Sequence, residues 1–151
     1  MNTQTNNQTK ALQTMSRILN QIISSKNWSP DLGILLLRIC CAFMAIHGWS
    51  KLTDFYDGIA EWPDPFYVGP VASKGLTIFA ELICTILLVL GLFTRTALIP
   101  LIICMLVIVF VVHAEDTIPD REHPIMYLIM YLSLFVTGPG KYSIDKLMSN
   151  K

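Results

Sequence analysis

Residues 97–112 read ALIPLIICMLVIVFVV, sixteen consecutive positions without a charged side chain. A bilayer core about 30 Å thick needs about 20 mostly apolar residues in an α-helix. Extended to 95–114, this run predicts a membrane span, with Thr94 as its cap and Pro100 early enough to cost only a small kink. Three further blocks follow the same logic. Residues 32–52, LGILLLRICCAFMAIHGWSKL, come after Ser29-Pro30-Asp31, which offers a cap, a proline at the first helical position and an acid in the first turn. Residues 73–93 form a second block, with Gly91 near its end. Residues 124–137, PIMYLIMYLSLFVT, are closed by Gly138-Pro139-Gly140 and are short enough that they must borrow Asp120-Arg121-Glu122-His123 to span. Backbone groups in lipid must satisfy one another internally, so these blocks are read as helices. The expected fold is all-α: an integral membrane four-helix bundle over 31–145. Residues 1–30 precede it and a tail, 146–151, follows.

The composition agrees. The chain is 53% hydrophobic and 15% charged, against about 25% charged in a soluble domain. Eleven basic and eleven acidic residues cancel, which excludes a strongly basic nucleic-acid binder and an acidic tail protein. With four spans, seven basic residues (Lys10, Arg17, Lys26, Arg95, Lys141, Lys146, Lys151) fall on the side of the termini, and three (Lys51, Lys74, Arg121) on the other. That asymmetry predicts both termini in the cytoplasm. The outer loops collect eight acids, Asp31 and Asp145 lie on the inner side, and Arg38 and Glu81 remain inside the spans.

Residues 2–9 are Asn, Gln and Thr and are expected to be disordered. No apolar core of a signal peptide follows them. Over 10–24, Leu12, Met15, Leu19, Ile22 and Ile23 recur at helical spacing between Lys10, Arg17 and Lys26. This predicts an interfacial amphipathic helix on the cytoplasmic leaflet, with a docking helix for a soluble partner as the alternative. The loop over 53–72 carries Tyr56, Trp62, Pro63, Pro65, Phe66 and Tyr67 and is expected to lie back across the outer mouth of the bundle.

Ionisable groups at membrane depth are costly and point to function. Here they are Arg38, His47 and Lys51 in the first span, Glu81 in the second and His113 at the end of the third, with Glu122 and His123 before the fourth. His47 and Lys51, four apart, are expected to share one helix face, and Arg38 another with Cys41, Ala42, Ala45 and Trp49. Thr77, Glu81, Cys84 and Thr85 form a polar stripe that should point inward. At 1.5 Å per residue, His47 lies about 8 Å below the outer end, Glu81 about 12 Å and Arg38 about 21 Å. The expectation is a polar pocket in the outer half built from His47, Lys51, Glu81, His113 and Glu122, with Tyr127 and Tyr131 on its wall and Arg38 at its floor or paired within the bundle. Such a set can relay protons, orient a quinone carbonyl or bind an anion. Equally, the groups can pair with one another and fix helix register. No HxxxH or ExxH spacing supports a metal site, and Cys40, Cys41, Cys84 and Cys104 contain no CxxC pair.

These segments together resemble the DoxX family of bacterial membrane proteins. The resemblance rests on Arg38, His47-Gly48 and Lys51-Leu52, Glu81, Leu92-Phe93-Thr94-Arg95, His113, Glu122 and the run from Gly138 to Asp145. It implies a four-helix protein of the inner membrane related to subunits of thiosulfate:quinone oxidoreductase. It also implies redox or oxidative-stress work with soluble redox enzymes or a second membrane subunit as partners. Carried onto this chain, it makes Arg38, His47, Lys51, Glu81, His113 and Glu122 the candidate catalytic residues and quinone the candidate cofactor. A non-enzymatic scaffold for soluble redox proteins is the alternative, and a small transporter ranks third, since neither inverted repeats nor broken helices are read from the sequence.

Overall fold

The structure is a computed structural model, which describes residues 2–23 and 29–149. Ser24, Lys26 and Lys151 lie outside them. The chain divides into two compact units, Met1–Pro30 and Asp31–Lys151. The first holds one helix, α1 (Asn2–Ile23). It includes residues 2–9, whose composition reads as disordered. No Gly or Pro interrupts residues 2–23, and Asn, Gln and Thr lower helix propensity by only tenths of a kcal/mol each, so turns propagate through them.

In the second unit, three stretches are long and apolar enough to cross a membrane: Pro30–Thr53, Pro70–Leu90 and Thr94–Val112. The chain is therefore an all-α, multi-pass membrane protein. A further helix, α7 (Ile118–Thr137), starts before the apolar block, because Asp120-Arg121-Glu122-His123 are themselves helical. Cys41, Met44, Cys84, Leu88, Leu98, Leu101, Met105, Tyr131 and Leu134, drawn from all four segments, meet in one buried core.

None of the three spans is a uniform α-helix. The first consists of α2 (Pro30–Cys41) and α3 (Met44–Thr53), joined by a tightened turn. There Ala42 N–H bonds Ile39 O at 3.0 Å, and Ala45 N–H bonds Ala42 O at 3.0 Å. Bonds from i to i+3 wind the chain by about 120° per residue instead of about 100°. This corrects the two-face reading of the first span. Arg38, Cys41, Met44 and Gly48 are buried along one side and Lys51 is half-buried, while His47 and Trp49 are exposed. The second span runs through α4 (Pro70–Ile78), a widened turn over Phe79–Cys84 and α5 (Thr85–Leu90). The third comprises α6 (Thr94–Val107) and a widened turn over Ile108–Val112, where His113 N–H reaches back five residues to Ile108 O. Such π-type turns insert one residue and re-aim the side chains around them.

Gly48 sets how closely the first span approaches the second. A Cβ there would lie 2.8 Å from Leu82 N and 2.9 Å from Glu81 C, both backbone atoms that cannot step aside. At the opposite end, fully buried Arg38 donates to four carbonyls. Its Nε bonds Leu88 O at 3.0 Å and its Nη2 bonds Val89 O at 2.6 Å, while Nη1 bonds Pro139 O at 3.0 Å and Tyr142 O at 2.7 Å. A cation at the C-terminal end of α5 is also favoured by the helix dipole. Gly91 makes this possible: its φ is +69°, and a Cβ on it would fall 2.5 Å from Arg38 Nη2. The chain after α7 closes the same end. Asp145, at the start of α8 (Ile144–Ser149), accepts from Phe93 N–H at 2.8 Å, Thr94 N–H at 2.9 Å and Thr94 Oγ1 at 2.8 Å. Asp31 Oδ1 accepts from Lys141 N–H at 2.8 Å. Thr94 is thus the capped residue of α6, not its cap, and Asp145 supplies the cap from 51 residues away.

Overpacking against backbone costs about 1–3 kcal/mol. Gly48→Ala should therefore lower the melting temperature in detergent by several degrees, whereas Gly33→Ala, whose Cβ meets nothing within 4 Å, should not. Burial opposes ionisation of Asp145, but the hydrogen bonds from Thr94 and Phe93 outweigh it and hold its pKa below the ordinary carboxylate value. A lowered folded pKa means stability that is complete above about pH 4 and lost as pH falls through the folded value. Thermal melts taken from about pH 6 to about pH 3 should show that acid-side loss shrinking in Asp145→Asn.

Candidate functional site

The start of the second span and the end of the third enclose a cavity of about 580 Å³. Its walls are Leu76, Thr77, Phe79 and Ala80 on one side and Pro100, Ile103, Cys104, Val107, Ile108 and Val112 on the other. Both widened turns contribute to it, and each re-aims side chains into the space between the helices. Of these wall residues, Leu76, Phe79 and Ile103 are also exposed on the surface of the bundle.

Its roof comes from the aromatic loop, through Trp62, Pro63, Pro65 and Phe66. The loop is fastened in three ways. Asp64 accepts from Val68 N–H at 3.1 Å and Gly69 N–H at 2.7 Å. Ser73 Oγ donates to Pro63 O at 2.8 Å. Lys74, only 3% exposed, donates to Asp54 O at 2.7 Å and Asp57 O at 3.0 Å, and its ammonium lies 5.0 Å from the Trp62 ring centre and 5.8 Å from that of Phe55. Carbonyl oxygens and aromatic faces together replace the water such a cation has lost. The loop thus lies against the cavity at one end of the bundle.

Basic groups sit at two places on the cavity. Lys51 Nζ is 2.5 Å from both carboxylate oxygens of Glu81, which is 1% exposed and stands behind Lys51, off the lining itself. His113 lies at the rim, where its Nδ1 shares a 2.6 Å hydrogen bond with Asp116 Oδ2. Arg121 braces that turn through Ala114 O at 2.7 Å and, via its Nε, Asp116 O at 2.9 Å.

The structure thus brings together Lys51, Glu81 and His113, and it leaves the other three proposed residues elsewhere. His47 and Glu122 are exposed and off the cavity, as is His123. Arg38 is neither the floor of the cavity nor ion-paired, because backbone carbonyls at the far end of the second span hold its guanidinium. Tyr131 is buried in the core, with its ring 6.0 Å from that of Tyr127, and neither tyrosine lines the cavity. The inward stripe holds: Glu81, Cys84 and Thr85 are buried and Thr77 faces the cavity. The cysteines are free thiols, of which Cys104 reaches the cavity. Among the described residues, no three His, Cys, Asp or Glu side chains converge as metal ligands. Sequence reasoning missed Lys74 and Asp116. Asp116 could have been found from its i+3 spacing to His113, whereas Lys74 has partners 17 and 20 residues away and gives no local signal.

The DoxX family matches residues 33–114, more than half of the chain and the part that builds this cavity. The chain belongs to the DoxX family. It is similar to "Inner membrane protein YqjF" of Escherichia coli (strain K12), 29% identical over 128 residues, covering 80% of this chain and 95% of that protein. It is also similar to an uncharacterized protein of Haemophilus influenzae, 27% identical over 125 residues, covering 77% of this chain and 83% of the relative. No solved structure matches it.

Removing one partner of a buried ion pair costs about 3–5 kcal/mol, while replacing both with apolar side chains is near neutral. Lys51→Met and Glu81→Leu should each destabilise this DoxX protein in detergent melts, and the double variant should recover most of the loss. Losses that merely add would show that the two groups do not depend on each other.

Proposed function

We propose that this chain is a quinone-linked redox or oxidative-stress-associated subunit of the bacterial inner membrane. On this reading it has four spans and both termini in the cytoplasm. The observation that carries the reading is the cavity's asymmetry: the strapped loop roofs it, most of its walls are apolar, and its only basic groups are Lys51 and His113, while the Ser73 and Thr77 hydroxyls are spent on backbone carbonyls. On this reading its exposed wall residues Leu76, Phe79 and Ile103 face lipid. A ligand that fits is dissolved in the bilayer, has an apolar body, and presents a hydrogen-bonding oxygen at one end. The volume falls within the range of small-molecule sites, about 300–1,000 Å³. A quinone, when bound, supplies two-electron chemistry coupled to protons. The residues here do the rest. Lys51 offers an ammonium donor whose charge Glu81 balances, and the apolar walls exclude water. The His113–Asp116 pair can hold or pass a proton at the aqueous rim. In support of a fourth crossing, the 20 residues of α7 extend about 30 Å, the thickness of the hydrocarbon core. The name of the Escherichia coli relative supports the inner membrane.

A second reading, a membrane scaffold for soluble redox proteins, draws on the ion pair itself. Lys51 and Glu81 satisfy each other and can fix helix register with no ligand.

Titration of purified protein with a membrane-soluble quinone analogue, read by quenching of tryptophan fluorescence at the roof, separates the two. Loss of a charged hydrogen-bond donor should weaken binding about tenfold or more in Lys51→Met. The double variant Ile103→Phe, Val107→Phe, which narrows the cavity without adding a tryptophan, should weaken binding, and His47→Ala should leave it unchanged. Equal responses from the native protein, Lys51→Met and the double variant would remove the quinone site. A soluble partner crosslinked equally well to the double variant in native membranes would then favour the scaffold.

A further inference from the structure

Helix α1 is a separate unit that carries an exposed apolar stripe. Leu12 (64% exposed), Met15, Ile18 and Leu19 recur at i, i+3, i+6 and i+7, which places them within one face of a 3.6-residue helix. Gln13, Thr14 and Arg17 fall on other sides of the same turns. The charges are all of one sign: residues 2–23 contain Lys10 and Arg17 and no acid.

Exposed apolar stripes of this length do not stay in water, and the covalent chain limits what can cover this one. Only residues 24–29 separate Ile23 from Pro30, where the first membrane span begins. At most about 3.6 Å per residue, the end of α1 stays within about 25 Å of a bilayer face. That tether gives the membrane surface an effective concentration no diffusing partner matches. A helix with an apolar stripe and purely basic charges matches an anionic lipid surface in both respects.

We infer that α1 lies in the headgroup region of the bilayer, with Leu12, Met15, Ile18 and Leu19 toward the acyl chains and Lys10 and Arg17 against anionic headgroups. The helix acts as a lipid-binding element in its own right. It responds to the density of anionic lipid next to the first span, independently of any ligand in the cavity. The inference rests on the first span being in a membrane and not on quinone binding, so the two readings fail separately.

The test uses the full-length protein in nanodiscs of phosphatidylcholine, with and without phosphatidylglycerol. A benzophenone amino acid replaces Met15 or Leu19 on the stripe, or Gln13 or Thr14 off it, and photo-adducts are identified by mass spectrometry. Lipid adducts should form at Met15 and Leu19 and be several-fold weaker at Gln13 and Thr14. Two bases should raise the stripe adducts on the order of tenfold when phosphatidylglycerol is present. Leu12→Glu should suppress adducts at Leu19 without altering the melting temperature of the rest of the chain. Adducts to protein in place of lipid, equal labelling on all four positions, or no response to phosphatidylglycerol would each overturn the assignment.

Discussion

A charge inside a bilayer must find its partners within the protein, and the two charges that this chain buries deepest do so in different ways. Glu81 takes both oxygens to Lys51 and so ties the later half of the first span to the second. Arg38 takes its donors to four carbonyls and locks the other end of the same helices to the chain after α7. Because lipid offers no alternative partner, each arrangement is far more restrictive than a surface ion pair. The two glycines follow from it. Gly48 lets the helix backbones come close enough for Lys51 to reach Glu81, and Gly91 leaves the space that the Arg38 guanidinium occupies.

This division of labour explains why the two ends of the bundle differ. The Arg38 end is closed by backbone and carboxylate capping: Asp145 on the start of α6, and Asp31 on the segment after α7. At the Lys51 end the second and third spans widen their turns and part, leaving a cavity that the Lys74-anchored loop roofs. One end is fastened and the other holds the cavity.

The spans were legible because transfer of apolar side chains into lipid is additive along the chain and needs no knowledge of neighbours. Boundaries agreed to within a few residues, and the inward stripe through Glu81, Cys84 and Thr85 followed from period alone. The faces of the first span did not. A uniform rotation of 100° per residue sets Lys51 well away from Arg38, but the tightened turn at Ala42 and Phe43 shifts the phase of α3 against α2 and carries Lys51 toward the buried side, with His47 one turn earlier still exposed. Tyr131 looked like a pocket residue because aromatics with hydroxyls often line sites, yet packing against Leu134 and Met105 took it into the core.

The sequence by itself determined the class of the molecule, its three long apolar helices, and that Arg38 and Glu81 lie within them. Each of these is a local sum over side chains. Only the tertiary structure decided partnership: that Glu81 pairs with Lys51 and not with Arg38, that Arg38 is satisfied by carbonyls 50 to 104 residues away, and that Lys74 anchors the roof. Partnership depends on local departures from ideal helix geometry. A turn that closes one residue early or late changes which groups meet, while leaving composition and hydropathy untouched.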